Sequence, residues 1–352
     1  MPKKVISVVG ARPQFIKAAP LEMVFREIPD FEFISIHTGQ HYDENMSQVF
    51  FNDFGLEQPK YQLHVGSASH GKQTGLMLDK IEEILLQENP DLMIVYGDTN
   101  STLAAALAAS KLNIPIAHIE AGLRSYNRTM PEEINRVLTD HISSLLLVPS
   151  EVSVNNLKKE GITQGVEITG DIMMDILRIS TEKNVVSKPV DHTYYYATIH
   201  RPYNTDIPER MSQILTEMNS LDKPVYFAIH PRTSSLLEKY GMNFSDFNNI
   251  KFIEPQSYIG NLGYLLNADR IITDSGGLQK EAWFVKKPCV TLRPETEWVE
   301  TLDNQWNVLV FEDLSQLKKA ISTTPGAYND GVFGDGHAAE KIRDSILAFL
   351  GR

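Results

Sequence analysis

Residues 270–281, RIITDSGGLQKE, carry the strongest chemical signal in the chain. Ile271 and Ile272 read as the end of a short apolar strand, and an Asp-Ser-Gly-Gly turn then runs into a helix start. Asp274 and Ser275 are residue types that cap helices. Gly276 and Gly277 let backbone N–H groups come up to a ligand with no Cβ in the way. Free amides at the positive end of a helix dipole make an anion seat, and phosphate is the natural guest. A capped surface helix that binds nothing would read the same from this stretch alone.

Acids that could move protons stand elsewhere. Asp98, in Gly97-Asp98-Thr99-Asn100, ends the strand-like residues 92–96 and begins a helix; it is either a functional acid or a plain cap. Glu120 leaves the apolar run 114–119 with Arg124 close behind, which reads as a functional pair or as a structural ion pair. Glu132 opens the helix PEEINR, where acidic residues suit the dipole in any case, and it shares a face with Arg136 four residues on. His200-Arg201 follows a strand directly, a placement suited to phosphate or sugar. Further polar residues at strand ends are Arg12, Gln40, His41, His230 and Arg293.

Other chemistries find less support. Residues 66–73, GSASHGKQ, nearly match the phosphate loop GxxxxGK[ST], but Gln73 stands where the metal-binding hydroxyl belongs, which excludes a nucleoside triphosphatase. No GxGxxG follows a strand, so a nicotinamide cofactor is not expected, and no His, Cys and Asp cluster has metal-ligand spacing. A net charge of −12 argues against nucleic acid or an anionic membrane as the main partner, while leaving room for a local basic pocket. One cysteine, Cys289, fits a reducing cytoplasm and excludes an internal disulfide. Lys3-Lys4 runs straight into the strand-like VISVV with no signal-peptide pattern, and no apolar run reaches membrane-span length.

The elements that must position these residues alternate. Strand candidates are 5–9, 33–37, 92–96, 114–119, 145–148 and 166–169 in the first half, then 194–199, 225–229, 251–253, 270–273, 288–292 and 308–311. Helical patterns lie between them, including 76–86, the Ala-rich 99–110 and 132–144. Alternation of this kind predicts parallel sheets covered on both faces, and this many strands predicts two Rossmann-like, doubly wound α/β domains rather than one. Their join is expected near 171–189, giving a first domain of 1–172 and a second, phosphate-binding domain of 173–337, with the helix at 338–352 open to return to the first. Ligands of such folds sit beyond the carboxyl ends of the strands. Strand ends that faced one another would gather the polar residues above into one cleft.

Taken together, several blocks resemble the non-hydrolysing UDP-N-acetylglucosamine 2-epimerase family. They are VGARPQFIK at 9–17, TGQHYDENM at 38–46, YGDTNST at 96–102, HIEAGLRS at 118–125, MPEEINRVLTD at 130–140, HRPYN at 200–204 and TDSGGLQKEA at 273–282. The resemblance implies two facing Rossmann-like domains of the glycosyltransferase-B type, homodimeric assembly, a UDP-sugar substrate and no cofactor. It places basic contacts at Arg12 and Lys17, catalytic carboxylates at Asp98, Glu120 and Glu132, and the motif arginine and histidine at Arg136 and His200. It puts the UDP seat at Ser275, Gly276 and Gly277, with Glu281 on the ribose. Arg201 adds a candidate diphosphate contact. A second, regulatory UDP-sugar site of some members falls near Gln40, His41, Lys72 and Gln73, with Lys72 where those members have arginine. Many members show TERPE where this chain has Thr296-Glu297-Trp298-Val299-Glu300, and HxNP where it has His230-Pro231-Arg232. The TGQHYDENM and HGKQTG versions also suit the branch acting on UDP-2,3-diacetamido-2,3-dideoxyglucuronate.

The C2–H of an acetamido sugar is not acidic, so expulsion of the anomeric UDP first, followed by loss of that proton to give a glycal, is the expected route. It needs a diphosphate clamp and carboxylates near C1 and C2. A glycosyltransferase of the same architecture, a hydrolysing epimerase and a non-catalytic nucleotide-sugar sensor are the rival readings.

Overall fold

The computed structural model describes residues 2–29, 31–40, 54, 56–183 and 186–351. The chain divides into two compact units, Met1–Ile179 with Gly331–Arg352, and Ser180–Asp330. Residues 173–179 and 331–337, assigned to the second domain from sequence, thus lie in the first unit.

The first unit is built on strands β1 (Lys3–Val9), β2 (Phe31–His37), β3 (Tyr61–Gln62), β4 (Leu92–Tyr96), β5 (Ile116–Ile119), β6 (Leu145–Val148) and β7 (Val166–Ile168). They form one parallel sheet in the order β3-β2-β1-β4-β5-β6-β7. Near-continuous apolar runs such as LMIVY in β4, buried throughout, require helices on both faces, which is what makes a parallel arrangement stable. Helices α1 (Arg12–Arg26), α2 (His70–Glu88), α3 (Asn100–Lys111), α4 (Pro131–Ile142), α5 (Glu151–Lys159) and α6 (Ile172–Glu182) supply that cover. In α3 the small residues Ala104, Ala105, Ala106, Ala108 and Ala109 are all buried in the core with Val8, Ile36, Met77 and Val95.

The second unit repeats the plan with β8 (Tyr195–Thr198), β9 (Val225–Ala228), β10 (Ile250–Ile253), β11 (Arg270–Thr273), β12 (Cys289–Thr291) and β13 (Asn307–Leu309). Their order, β10-β9-β8-β11-β12-β13, is again parallel throughout. Helices α7 (Pro202–Thr205), α8 (Pro208–Asn219), α9 (Pro231–Lys239), α10 (Tyr258–Asn267), α11 (Gly276–Phe284) and α12 (Leu317–Ser322) belong to it. Its core joins Ile214, Leu215 and Met218 of α8 to Val225 and Phe227 of β9 and Ile272 of β11.

The last helix, α13 (Ala338–Phe349), belongs to the first unit and packs on α1. Asp175 of α6, fully buried, fixes its start by accepting the N–H groups of Ala338 (3.0 Å) and Ala339 (2.7 Å). Such a capping carboxylate is worth ~1 kcal/mol.

Two elements depart from the sequence expectation. β3 is a two-residue edge strand, Tyr-Gln, with no apolar run to announce it. α2 begins at His70, six residues before its periodic stretch, because its first turn is polar and contains glycine. At its other end Glu88 accepts from Lys4 (2.7 Å), Lys60 (2.8 Å) and the Tyr61 hydroxyl. These bonds, Lys4 first and then Lys60 and Tyr61, hold the Glu88 carboxyl down at about 2. Among the described residues no helix is long and apolar enough to cross a membrane.

Candidate active site

Each sheet reverses its strand order beside its first strand, between β1 and β4 in one unit and between β8 and β11 in the other. Crevices at such switch points are where α/β sheets bind ligands.

In the first unit, the β1 turn approaches the β4 turn closely. A Cβ on Gly10 would lie 2.0 Å from Ser101 Oγ and 2.2 Å from Thr38 Oγ1, so only glycine fits. Gln14 joins the two turns: its Oε1 accepts from the Gly10 N–H (2.8 Å), and its Nε2 donates to the Tyr96 carbonyl (2.8 Å) and Thr102 Oγ1 (2.9 Å). After β4 comes Gly97 at φ 58°, then Asp98, then Thr99, whose hydroxyl caps α3. Asp98 is therefore not the cap. Its carboxylate, 30 % exposed, receives Arg136 Nη2 from α4, and its backbone carbonyl receives Asn135 Nδ2 at 2.9 Å.

Glu120 follows β5 with φ 69°, a left-handed conformation that costs a non-glycine residue roughly 1–2 kcal/mol. That backbone sets its buried carboxylate on the ammonium of Lys17 in α1. A Cβ on Gly97 would stand 3.2 Å from Glu120 Oε2 and 3.4 Å from Lys17 Nζ, so the Gly97 turn lies against this pair. Glu132, half-buried, is in the first turn of α4, one helical turn before Arg136 and on its face. Asp98, Glu120, Lys17 and Arg136 thus meet around one turn, Asp98 paired with Arg136 and Glu120 with Lys17. The Arg12 side chain and His41 lie outside the described residues.

The Glu120–Arg124 reading needs correction. Arg124 is buried and committed to Asp140 (2.7 Å) and, through Nε and Nη2, to both oxygens of Glu160 (2.7 Å each). Burial opposes the charge on Asp140, but His118 and Arg124 outweigh it and hold that carboxyl below its ordinary range.

The residues near the expected regulatory site are tied into the same turns. Gln40 Oε1 accepts from the Ser101 N–H (2.9 Å) and hydroxyl (2.7 Å). Gln73 is buried, accepts from Asn100 Nδ2 (2.9 Å) and donates to the Gly66 carbonyl (3.1 Å). Asn100 Oδ1 in turn accepts from Asn135 (3.2 Å). Lys72 is exposed in the first turn of α2.

In the second unit, Ser275 caps α11, its Oγ accepting the Leu278 N–H at 3.3 Å. The hydroxyl proton is left to donate outward. Asp274, also expected as a cap, has another job. It is fully buried and receives the N–H groups of His200 (3.0 Å) and Arg201 (2.9 Å) and the Asn204 amide (3.0 Å). One carboxylate thereby holds the whole His200–Asn204 turn beside the head of α11. Desolvation, with Arg201, His230 and Arg293 adding to it and Asp274 pulling against it, keeps the His200 imidazole below its ordinary value. The Arg201 Nε is buried with no partner among the described residues.

The two glycines differ. A Cβ on Gly276 would lie 2.4 Å from Glu297 Oε1, whereas one on Gly277 would meet nothing nearer than Ser275 Oγ at 3.9 Å. Gly276 is thus demanded by the protein's own Glu297, which Arg293 grips at 2.8 and 3.3 Å. Gly277 alone leaves open space over the helix start. Glu281 lies buried one turn further along α11. The departure at 296–300 also gains a reason: Lys280, buried, stands 3.9 Å over the ring of Trp298, a cation–π contact. At the 230–232 departure, His230 caps α9 and Arg232 forks the Asp206 carboxylate at 2.5 and 2.6 Å.

A helix head left open at Gly277, with the Ser275 hydroxyl and the His200–Asn204 turn beside it, can hold a diphosphate. Carboxylates held by lysine and arginine at a second switch point can take and return protons. The sequence profile described as UDP-N-acetylglucosamine 2-epimerase matches residues 24–347. The chain belongs to this family. It is similar to the UDP-N-acetylglucosamine 2-epimerase homolog of Methanococcus maripaludis, 49% identical with 96% of this chain and 98% of that protein covered. It is also similar to the UDP-2,3-diacetamido-2,3-dideoxy-D-glucuronate 2-epimerase of Pseudomonas aeruginosa, at 42% identity over 97% and 99% of the two chains. Among solved structures, the UDP-GlcNAc 2-epimerase of Methanocaldococcus jannaschii in complex with UDP-GlcNAc and UDP superposes with a TM-score of 0.88, at 41% identity over 98% and 99% of the chains. The two-domain glycosyltransferase-B type of α/β architecture goes with that family.

Within this member of the family, sequence reading passed over Gln14, Asn100, Asn135, His118 and Asp140, which join the reactive turns to one another. His118 left a trace, as the one polar residue in the buried strand IAHI. Gln14 and the asparagines left none, since a buried amide looks like any other polar residue in sequence.

Proposed function

We propose that the chain is a non-hydrolysing UDP-N-acetylglucosamine 2-epimerase, inverting C2 to give UDP-N-acetylmannosamine. The observation that carries this reading is the pair of carboxylates, Asp98 and Glu120, held by Arg136 and Lys17 in a chain of this family whose second unit keeps an open helix head at Gly277. A sensor or a transferase needs the helix head but has no use for so many acids.

In this reading UDP binds the second unit. Its phosphates take the amides at Gly276 and Gly277, the Ser275 hydroxyl and Arg201, with His200 beside them, Arg12 adding charge and Glu281 on the ribose. The C1–O bond breaks and its electron pair leaves with UDP. Positive charge at C1 loosens the C2–H bond, one of Asp98, Glu120 and Glu132 takes the proton, and the C1=C2 bond of a glycal forms. A carboxylic acid on the other face returns a proton to C2, and the UDP oxygen attacks C1. Lys17 and Arg136 hold the Glu120 and Asp98 carboxylates in place. Gln40, His41, Lys72 and Gln73 stand as candidates for a regulatory contact. A second copy of the chain completes the assembly, and the reaction runs in the cytoplasm.

Incubation with UDP-N-acetylglucosamine in D2O, followed by NMR, tests the reading. The epimer should appear with deuterium at C2, with no nicotinamide or metal added. An epimer that keeps its C2 hydrogen entirely would sink the elimination route. No conversion of any acetamido UDP-sugar would sink the epimerase reading. A second substrate, UDP-2,3-diacetamido-2,3-dideoxyglucuronate, is favoured by the relative of that activity at 42% identity, and turnover of the two sugars side by side decides.

A further inference from the structure

His118 sits on β5, fully buried, directly beneath the turn that carries Asp98. Both of its ring nitrogens face acceptors. Nδ1 is 2.7 Å from Asp140 Oδ1 and Nε2 is 2.8 Å from the Gly97 carbonyl oxygen. A ring flip would put carbon at both places and lose both bonds. A carbonyl cannot donate. Asp140 does not either: burial works against its charge, yet with Arg124 Nη1 (2.7 Å) and the Gly122 N–H (3.1 Å) on its other oxygen the carboxyl is held below its ordinary range and is ionised. Two acceptors require two N–H donors, and an imidazole has two only when protonated.

We propose that His118 is a buried imidazolium and a positioning residue, which fixes the Gly97 carbonyl and thereby the placement of the Asp98 carboxylate beside Glu120. The proposal rests on the reading of Asp98 as a reacting acid.

The charges around the ring fit. Asp140 faces it from α4. Arg124, from the loop after β5, faces Asp140 from the other side, and Glu160, after α5, closes the chain on Arg124 and also receives His141. His118 and Arg124 balance Asp140 and Glu160. Lys17 and Glu120 lie against the far side of the Gly97 turn.

Gly97 needs such a handle because it has no side chain of its own. Gly97 adopts φ 58°, and the space a Cβ would fill belongs to Glu120 and Lys17. Its backbone is therefore its only means of attachment. The N–H bonds the Ile119 carbonyl at 3.0 Å, and the carbonyl bonds His118. Both ends of one glycine are thus tied to β5, and the next residue is Asp98. Without the second tie the peptide plane after Gly97 can tilt, and Asp98 shifts with it within the reach of Asn135 and Arg136. A shift of about 1 Å in a reacting group can cost on the order of 100-fold in rate.

Two substitutions separate the ring's two bonds. The amide of His118→Asn can stand near Nδ1 and keep Asp140 but not reach Gly97. That of His118→Gln can stand near Nε2 and keep Gly97. The expected result is a fall in kcat of ~30-fold or more for His118→Asn, with KM and UDP affinity within about 3-fold of the parent, and kcat within about 5-fold for His118→Gln. Equal kcat losses in both, or losses only in melting temperature with kcat per folded molecule unchanged, would overturn the positioning role. The proton state is read separately in the unsubstituted protein, by NMR with 15N-labelled histidine. Both His118 nitrogens should carry protons at neutral pH, and an unprotonated nitrogen would overturn the proposal even if neither variant folds. Parental turnover is the control for the function itself: if it is absent, the epimerase reading fails while the NMR result still decides the state of His118.

Discussion

Asp98 and Asp274 occupy equivalent places in the two units. Each follows the strand beside the switch point, β4 or β11, and each precedes a hydroxyl residue, Thr99 or Ser275, that caps the next helix. Yet Asp274 is fully buried and saturated by His200, Arg201 and Asn204, whereas Asp98 keeps 30 % of its side chain exposed and meets Arg136. One fold position and one residue type serve twice, once as a fastener for a binding turn and once as a candidate acid. What separates them is burial: Asp274 is closed off from solvent and Asp98 is not. A carboxylate spent on internal amides has no lone pair left for a substrate.

This contrast is sharpest in Asp98→Asn and Glu120→Gln. Each keeps shape while removing a proton acceptor, so turnover should drop by ~100-fold or more with UDP affinity within about twofold. Steady-state kinetics and calorimetry with UDP check both halves. Full activity in Asp98→Asn would return that residue to a structural role like that of Asp274.

The glycine pair offers a smaller effect within the second unit. Gly276→Ala drives a methyl into Glu297 and should cost ~1–3 kcal/mol of stability, seen in denaturant unfolding. Gly277→Ala meets no protein atom closer than 3.9 Å, so stability should change by less than about 0.5 kcal/mol while UDP binding weakens measurably. Equal UDP affinity in Gly277→Ala and the parent would remove this helix head from the binding site.

Glu88 marks the low end, as a carboxylate with a purely structural setting. Its folded value of about 2 lies below the ordinary 4.5, so its contribution to stability is complete above pH 4.5 and is lost as pH falls toward 2. Glu88→Gln should flatten acid unfolding between those limits and leave kcat at neutral pH unaltered. An unchanged acid transition would show that Lys4 and Lys60 do not favour the charged form.

Most of the strands, and the doubling of the sheet, were legible because parallel strands buried on both faces have to be apolar runs. The short β3 and the polar first turn of α2 were not, since neither carries a hydrophobic period. At the site, residue type pointed to Asp98, Glu120 and Ser275, but not to who holds them. Glu120 was read with Arg124, four residues away, and is held by Lys17, over a hundred residues away in sequence, while Arg124 serves Asp140 and Glu160. The side of Gly276 that lacks a Cβ faces Glu297, a neighbour its own stretch of sequence does not show. Sequence shows which groups could do chemistry; the long-range partners that occupy or free them depend on the folded chain.

The capping of α13 by Asp175 bears on the order in which the chain is made. Residues 180–330 leave the ribosome as an uninterrupted run and hold a complete sheet and core of their own. The first unit, begun earlier, stays unfinished until residues 338–349 emerge to lie on α1. Until then the carboxylate of Asp175 lacks the amides of Ala338 and Ala339, and the apolar face of α1 lacks its cover. The unit that starts first is completed last, so a chain truncated after residue 330 keeps its second unit whole and leaves the first without its cover on α1.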